Sequence, residues 1–234
     1  MREIVFDTET TGLKANGGDR VVEIGAIELI NHIPTGAVFH EYIDPERSMP
    51  VEAYNVHGLS EEFLTGKPKF AEVAGKWIDF IADARLIAHN ASFDMGFINA
   101  ELARLGVEAI GEERVVDTLQ ISRRRNPGGQ HSLDALCSRF GIDNSRRTKH
   151  GALLDAELLA EVYIELIGGK QAALGFATDR DAEDAYAPRT RPKAAAARPQ
   201  PLPPRVTPDE TAAHRAFVET LGDKALWRRY RDAD

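Results

Sequence analysis

Apolar and polar positions follow a short period early in the chain and a helical one later. Ile4-Val5-Phe6, Val21 to Leu29 and Val38 to Ile43 are short apolar or alternating runs. Each reads as a strand, the third closed by Asp44-Pro45, with Lys14 to Asp19 as a turn. Strands on such short connections predict an antiparallel meander. Phe70, Val73, Ala74, Trp77, Ile78 and Ile81 then recur at helical spacing. Leu86-Ile87-Ala88 predicts a buried strand, followed by a helix through Leu105. Val115-Val116 predicts another strand, then a basic helix ending at Arg123-Arg124-Arg125 and broken by Asn126-Pro127-Gly128-Gly129. Ser132 caps a helix to Phe140, with Gly141 as its stop. A last helix carries Leu158, Leu159, Val162 and Leu166 on one stripe, and the pattern ends near Gly168-Gly169.

Beyond this point the pattern changes. Residues 177–206 are rich in Ala, Arg and Pro without apolar period, and read as a flexible linker. Thr207-Pro208-Asp209-Glu210 is a helix start with a capping box. Ala213, Phe217 and Leu221 share a face, Gly222 stops the helix, and Leu226, Trp227 and Tyr230 follow. A short helix on a tether cannot bury such residues alone. Residues 207–234 therefore read as a docking segment anchored by Leu226 and Trp227, the alternative being a tail that folds back on its own domain.

Composition narrows the classes. The chain has 234 residues, enough for one domain plus an appendage. Its formal net charge of −8 argues against non-specific coating of long nucleic acid, which rests on many Lys and Arg contacts. An enzyme that grips a few nucleotides through metals remains compatible. Cys137 is the single cysteine, so an intrachain disulfide is impossible and a cytoplasmic location is expected. The N-terminus carries no long apolar segment of signal or membrane-spanning type.

Chemistry enters through acidic residues at element ends. Asp7 and Glu9 alternate with Thr8, so a strand presents both on one face. Two such charges about 5 Å apart repel by roughly 3 kcal/mol at an effective dielectric of about 20. They read either as caps on a Thr- and Gly-rich turn or as ligands of a hard cation such as Mg²⁺ or Mn²⁺. Asp94 heads an apolar stripe with Phe97, Ile98 and Leu105, as a cap or as a ligand. Asp155 lies on the stripe of Leu158 and Leu159, where burial demands a cation or a proton. His150 diverges from Asp155 by about 140° on a regular helix, so it belongs to the preceding loop or first turn. That placement suits a mobile base; a solvated loop histidine is the alternative. His57, beside Gly58, reads as a surface loop residue. Carboxylates without cysteine ligands suggest two divalent cations acting on a phosphate ester. No Ser-His-Asp order or phosphate-cradling glycine loop is evident.

Three of these stretches together carry a resemblance. Asp7-Thr-Glu9-Thr-Thr-Gly12, His89-Asn90-Ala-Ser-Phe93-Asp94 and His150-Gly-Ala-Leu-Leu-Asp155-Ala resemble the exonuclease motifs of the DEDD superfamily, histidine subclass. Tyr54 to Leu59 resembles the segment between its first two motifs. The resemblance implies an α/β, RNase H-like domain over residues 1–176: a mixed sheet, antiparallel meander plus parallel strands, flanked by helices. It implies that Asp7, Glu9 and Asp155 hold two metal ions, that Asp94 completes the coordination shell of the second ion, and that His150 takes the proton from water. Thr10, Leu13, His57, Asn90 and Phe93 match positions that hold the terminal nucleotide. The implied function is a 3′→5′ exodeoxyribonuclease that removes mispaired single-stranded 3′ ends for a replicative DNA polymerase. The tail would bind the polymerase catalytic (alpha) subunit, and Gln171, Leu174 and Phe176 resemble a sliding-clamp-binding peptide. Such a protein would be cytoplasmic and reach the nucleoid through the replisome. The alternatives are a free-standing exoribonuclease of the superfamily and a structural bridge between polymerase and clamp.

Overall fold

β1 (Arg2–Thr10) lies between an antiparallel and a parallel neighbour in a five-stranded sheet. β2 (Val21–Ile30) pairs with it antiparallel, and β3 (Ile33–Tyr42) extends that side. β4 (Arg85–Ala88) and β5 (Val115–Asp117) continue the other side in parallel. The order β3-β2-β1-β4-β5 is thus the expected meander joined to parallel strands. This computed structural model describes residues 1–147, 149–168 and 206–222. The chain divides into two units, Met1–Leu174 and Gly175–Asp234.

Helices cover both faces because β1 and its neighbours are apolar on both. On one face Ile4, Phe6, Ile24 and Phe39 meet α3 (Phe70–Ile81) and α4 (Ala91–Arg104). Trp77 is fully buried there, with its ring centroid 5.5 Å from that of Phe6 and 5.3 Å from that of Phe39. On the other face Val5, Ile27 and Ile87 meet Leu159 and Tyr163 of α7 (Ala152–Leu166). The opposite side of α7 packs Leu158, Val162 and Leu166 against Leu136 and Cys137 of α6 (Leu133–Phe140). α5 (Thr118–Arg125) is capped by Asp117, whose carboxylate accepts from Leu119 N–H.

Several expectations shift. β1 runs on through Asp7 and Glu9, because the antiparallel ladder with β2 continues to Thr10. β3 starts at Ile33, five residues before the predicted strand, since the β2–β3 turn is tight. Ile78 and Leu105 belong to the predicted apolar faces but remain 37% and 41% exposed, at the rims of their helices. His57 is no loop residue. It ends α1 (Val51–His57), which Gly58 closes at φ 77°, and it is buried. A further short helix, α2 (Glu61–Leu64), starts at Ser60, whose hydroxyl accepts from Phe63 N–H.

In the second unit, α8 (Pro208–Thr220) carries the predicted capping box: Glu210 N–H donates to the Thr207 hydroxyl, and Thr207 N–H to the Glu210 carboxylate. Phe217 and Leu221 are exposed. The predicted linker up to residue 205, the clamp-peptide residues Gln171, Leu174 and Phe176, and the anchors Leu226 and Trp227 lie outside the described residues.

One glycine decides how closely α7 meets the sheet. Gly25 pairs with Asp7, and a Cβ there would come within 2.1 Å of Leu153 N and 2.2 Å of Ala152 C. The first turn of α7 therefore rests on bare strand backbone beside Asp7. Gly25→Ala should push that turn away, lowering stability on the order of 2 kcal/mol and hydrolysis by far more than the unfolded fraction explains. Urea denaturation and single-strand digestion measure both; a variant that is native-like in each would refute the close-approach argument.

Candidate active site

Four carboxylates converge at the carboxyl end of β1. The period of two sends Asp7 and Glu9 to the α7 face of the sheet, where Asp155 waits in the first turn of α7. Asp94 comes from α4 on the other face and reaches β1 through the intervening residue. Thr8 donates to Asp94 Oδ1 twice, from its N–H at 3.1 Å and its hydroxyl at 2.7 Å. Two capping alternatives are thereby removed. Asp94 spends its carboxylate on Thr8, while Asn90 holds the cap position of α4 with φ 64°. Asp7 and Glu9 sit within the ladder, opposite Gly25 and Glu23.

Loops then bring the histidine in. His150 precedes α7, as its angular offset from Asp155 required, and its N–H donates to Val56 O of α1 at 3.3 Å. Its side chain is 49% exposed. Glu9, His150 and Asp155 each place a ligand atom within 4.8 Å of the others, a group able to hold a metal ion. Glu9 Oε1 is buried without a hydrogen-bond partner among the described residues. An orphaned carboxylate oxygen inside an acidic cluster fits a hard cation.

The protonation pattern follows from crowding. Burial first, and then Asp94, Glu9 and Asp155, push Asp7 well above the usual carboxylate range. Burial, then Glu23, Asp155 and Asp94, raise Glu9 to about 8. Burial raises Asp94 to about 7, against the opposing Thr8 hydrogen bonds. Asp155 goes the other way. Burial would raise it, but hydrogen bonds from His150 and Arg147 together outweigh that and hold it low.

A cleft of about 590 Å³ opens over this cluster. Asp7, Glu9, Asp94 and His150 line it, as do Thr10, Leu13, His57, Asn90 and Phe93. Every nucleotide-holding residue implied by the motifs therefore faces one space. Leu13 is 82% exposed, on a loop tied down by Asp19, which accepts from Lys14 N–H at 3.0 Å. His57 Nδ1 accepts from Leu59 N–H at 3.0 Å, which leaves the ring proton on Nε2. Burial lowers its pKa, so the ring is neutral.

Arg147 escaped the sequence reading. Its side chain is 8% exposed and donates to Asp155 from Nε at 2.6 Å and from Nη2 at 2.8 Å. The signal was available: a carboxylate on an apolar helix stripe needs a cation, and Arg147 stands eight residues upstream. Thr8 and Glu23 were missed for lack of any local mark.

A sheet that changes from antiparallel to parallel at β1, with carboxylates and a histidine at its carboxyl end, defines a phosphodiester-cleaving nuclease. Residues 4–163 match the exonuclease family RNase_T, and the chain belongs to that family. The DNA polymerase III subunit epsilon of Rickettsia conorii is 53% identical over 176 residues, covering 74% of this chain and 76% of that protein. The subunit of the same name from Escherichia coli K12 is 42% identical over 237 residues, covering 97% of each chain. Among solved structures, exonuclease X in complex with 5′ overhanging duplex DNA superposes with a TM-score of 0.55. It is 26% identical and covers 72% of this chain and 91% of that one.

The raised carboxylates set a pH dependence. Unfolded Asp and Glu titrate near 4, whereas Asp94 and Glu9 titrate near 7 and 8 when folded. Between these values the folded chain binds more protons than the unfolded one, so stability falls as pH rises. Asp155, held low, acts only below that window. In EDTA the melting temperature should drop by roughly 5 °C from pH 5 to pH 8.5, and Mg²⁺ should flatten the profile. A melting temperature independent of pH in EDTA would contradict the described crowding.

Proposed function

We propose that this chain is a 3′→5′ exodeoxyribonuclease that removes mispaired 3′-terminal nucleotides as the proofreading subunit of a replicative DNA polymerase. The observation that carries the reading is the meeting of Asp7, Glu9, Asp94 and His150 at one cleft, with Asp155 grouped beside Glu9 and His150. It occurs in a chain alignable over 97% of its length with a DNA polymerase III epsilon subunit. Asp7, Glu9 and Asp155 would hold two divalent cations, Mg²⁺ or Mn²⁺, with Asp94 completing the shell of the second ion. When bound, such ions polarise the phosphoryl group and stabilise the attacking and leaving oxygens.

The chain's own residues do the rest. His150 accepts the proton of the water that attacks phosphorus, as the bond to the 3′ oxygen of the preceding nucleotide breaks. A shortened strand and one nucleoside 5′-monophosphate leave. Exposed Leu13 and the Phe93 ring flank the terminal base and sugar, a contact that tolerates any base. His57 donates from Nε2, and Thr10 and Asn90 complete the grip.

Residues 207–234 dock on the polymerase alpha subunit across the linker 177–206. Residues 171–176 engage the sliding clamp, with Gln171, Leu174 and Phe176 as contacts. The relatives' place in replication supports a cytoplasmic location, at the nucleoid through the replisome. No described helix is long and apolar enough to cross a membrane.

The deciding experiment compares a 3′-mismatched DNA primer with an RNA oligomer, in Mg²⁺ and then in EDTA. DNA digestion abolished by EDTA is expected; preferential RNA trimming would favour the exoribonuclease reading. His150→Ala should reduce turnover by roughly 10²–10⁴-fold and erase the acid limb of the rate profile. An unchanged profile in the variant would assign water activation to another group. Removing residues 207–234 should abolish copurification with the polymerase while leaving hydrolysis of free single strands intact. Retained copurification would place the docking surface elsewhere.

A further inference from the structure

Arg147 makes more contacts than a fixed brace needs. Its guanidinium forks onto both oxygens of Asp155. Nη2 also lies 2.7 Å from His150 Nδ1, and Nη1 donates to Asp134 Oδ2 at 2.8 Å. Asp134, in the first turn of α6, is held in turn by Asn144, whose amide donates to its Oδ1 at 2.9 Å. One cation thus engages a carboxylate assigned to metal binding, the histidine assigned to proton transfer, and a surface acid.

We propose that Arg147 is the internal counter-ion of the active site: it holds Asp155 and His150 together while divalent cations are absent, and releases both as the site fills. The inference rests on the roles given above to Asp155 and His150.

Three physical points carry it. Asp155 is 2% exposed on the apolar stripe of α7, where an unpaired charge is not tolerated. A guanidinium keeps its charge in proteins, so it can vacate the carboxylate only by moving. Second, both Asp155 oxygens accept from Arg147, and His150 Nδ1 lies 2.7 Å from Arg147 Nη2 and 3.3 Å from Asp155 Oδ2. Arg147 thus takes a lone pair on each Asp155 oxygen and crowds His150 Nδ1, the groups the ions and the attacking water would use. A guanidinium and divalent ions on one carboxylate also repel each other strongly at this burial. Third, Arg147 has somewhere to go. The Asp134 side chain is 57% exposed and already paired with Nη1, so the guanidinium can swing outward without losing its last partner. Arg147 lies in the connection between α6 and α7, outside both helices, so the swing requires no helix to move.

The proposal makes Arg147 a positioning residue that couples ion loading to release of the base. It accounts for how the chain tolerates the Asp155 carboxylate at the core edge. It also predicts that Arg147 and the ions compete.

The test uses ¹⁵N-labelled full-length protein and two variants, Arg147→Lys and Arg147→Gln. In EDTA the Arg147 Nε–H, identified by its absence in Arg147→Lys, should be protected from exchange with water. At saturating Mg²⁺ it should exchange at least about tenfold faster. Calorimetric titration of Arg147→Gln with Mg²⁺ should show affinity raised about tenfold over wild type, with a lower melting temperature in EDTA. The Lys variant, which keeps the charge without the fork, should fall between. Protection of the Nε–H retained at saturating Mg²⁺, with unchanged affinity in Arg147→Gln, would make Arg147 a permanent brace and overturn the proposal. Failure of wild type to bind Mg²⁺ at all would overturn the metal-site reading as well, and the titration distinguishes that outcome from the first.

Discussion

Negative charge confined where water barely enters is the constraint on which this structure depends. Asp7, Glu9, Asp94 and Asp155 approach one another at the end of β1, and burial raises the cost of ionising three of them. The chain offsets that cost locally in two ways. Thr8 spends its N–H and hydroxyl on Asp94. Arg147 spends a bidentate fork on Asp155. Among the described residues one Glu9 oxygen stays unpaired, in a cluster whose chemistry calls for cations.

Packing makes such crowding possible. The carboxylates arrive from both layers of helix, so the sheet between them must be approached closely. Gly25 removes the side chain that would hold α7 off β2. Trp77, Phe6 and Phe39 fill the opposite layer, which carries α4 and hence Asp94. Aromatic packing on one face and bare backbone on the other together fix the separation of Asp94 and Asp155 across β1. The site lies where parallel pairing begins, at the carboxyl ends of β1 and β4, where open α/β sheets leave a crevice.

The cleft divides its labour by chemistry. Its floor is acidic and its rim is apolar or neutral: Leu13, Phe93, and a His57 ring kept uncharged by burial. A chain with net charge −8 can therefore take a nucleic-acid end without a broad basic surface, because the attraction is concentrated in whatever cations the floor holds. The short reach of such contacts suits action on a terminus.

Much of this was legible in the sequence. A period of two put Asp7 and Glu9 on one face, helical spacing placed Asp155 on a buried stripe, and an angular offset kept His150 outside α7. Turn and cap residues marked the starts at Ser132 and Thr207 and the stop at Gly141. These are local rules, set by backbone geometry over a few residues. What they could not give depends on which distant surfaces meet. Thr8 finds Asp94 across 86 residues, and Gly25 touches α7 across more than a hundred. His57 reads as a loop histidine until Gly58 ends a helix there and the cleft covers it. Arg147 is one more charge in a polar loop until α6 and α7 close around it. Periodicity states which side of an element is buried. Only the packed structure decides what it is buried against, and at an active site the partner determines the chemistry.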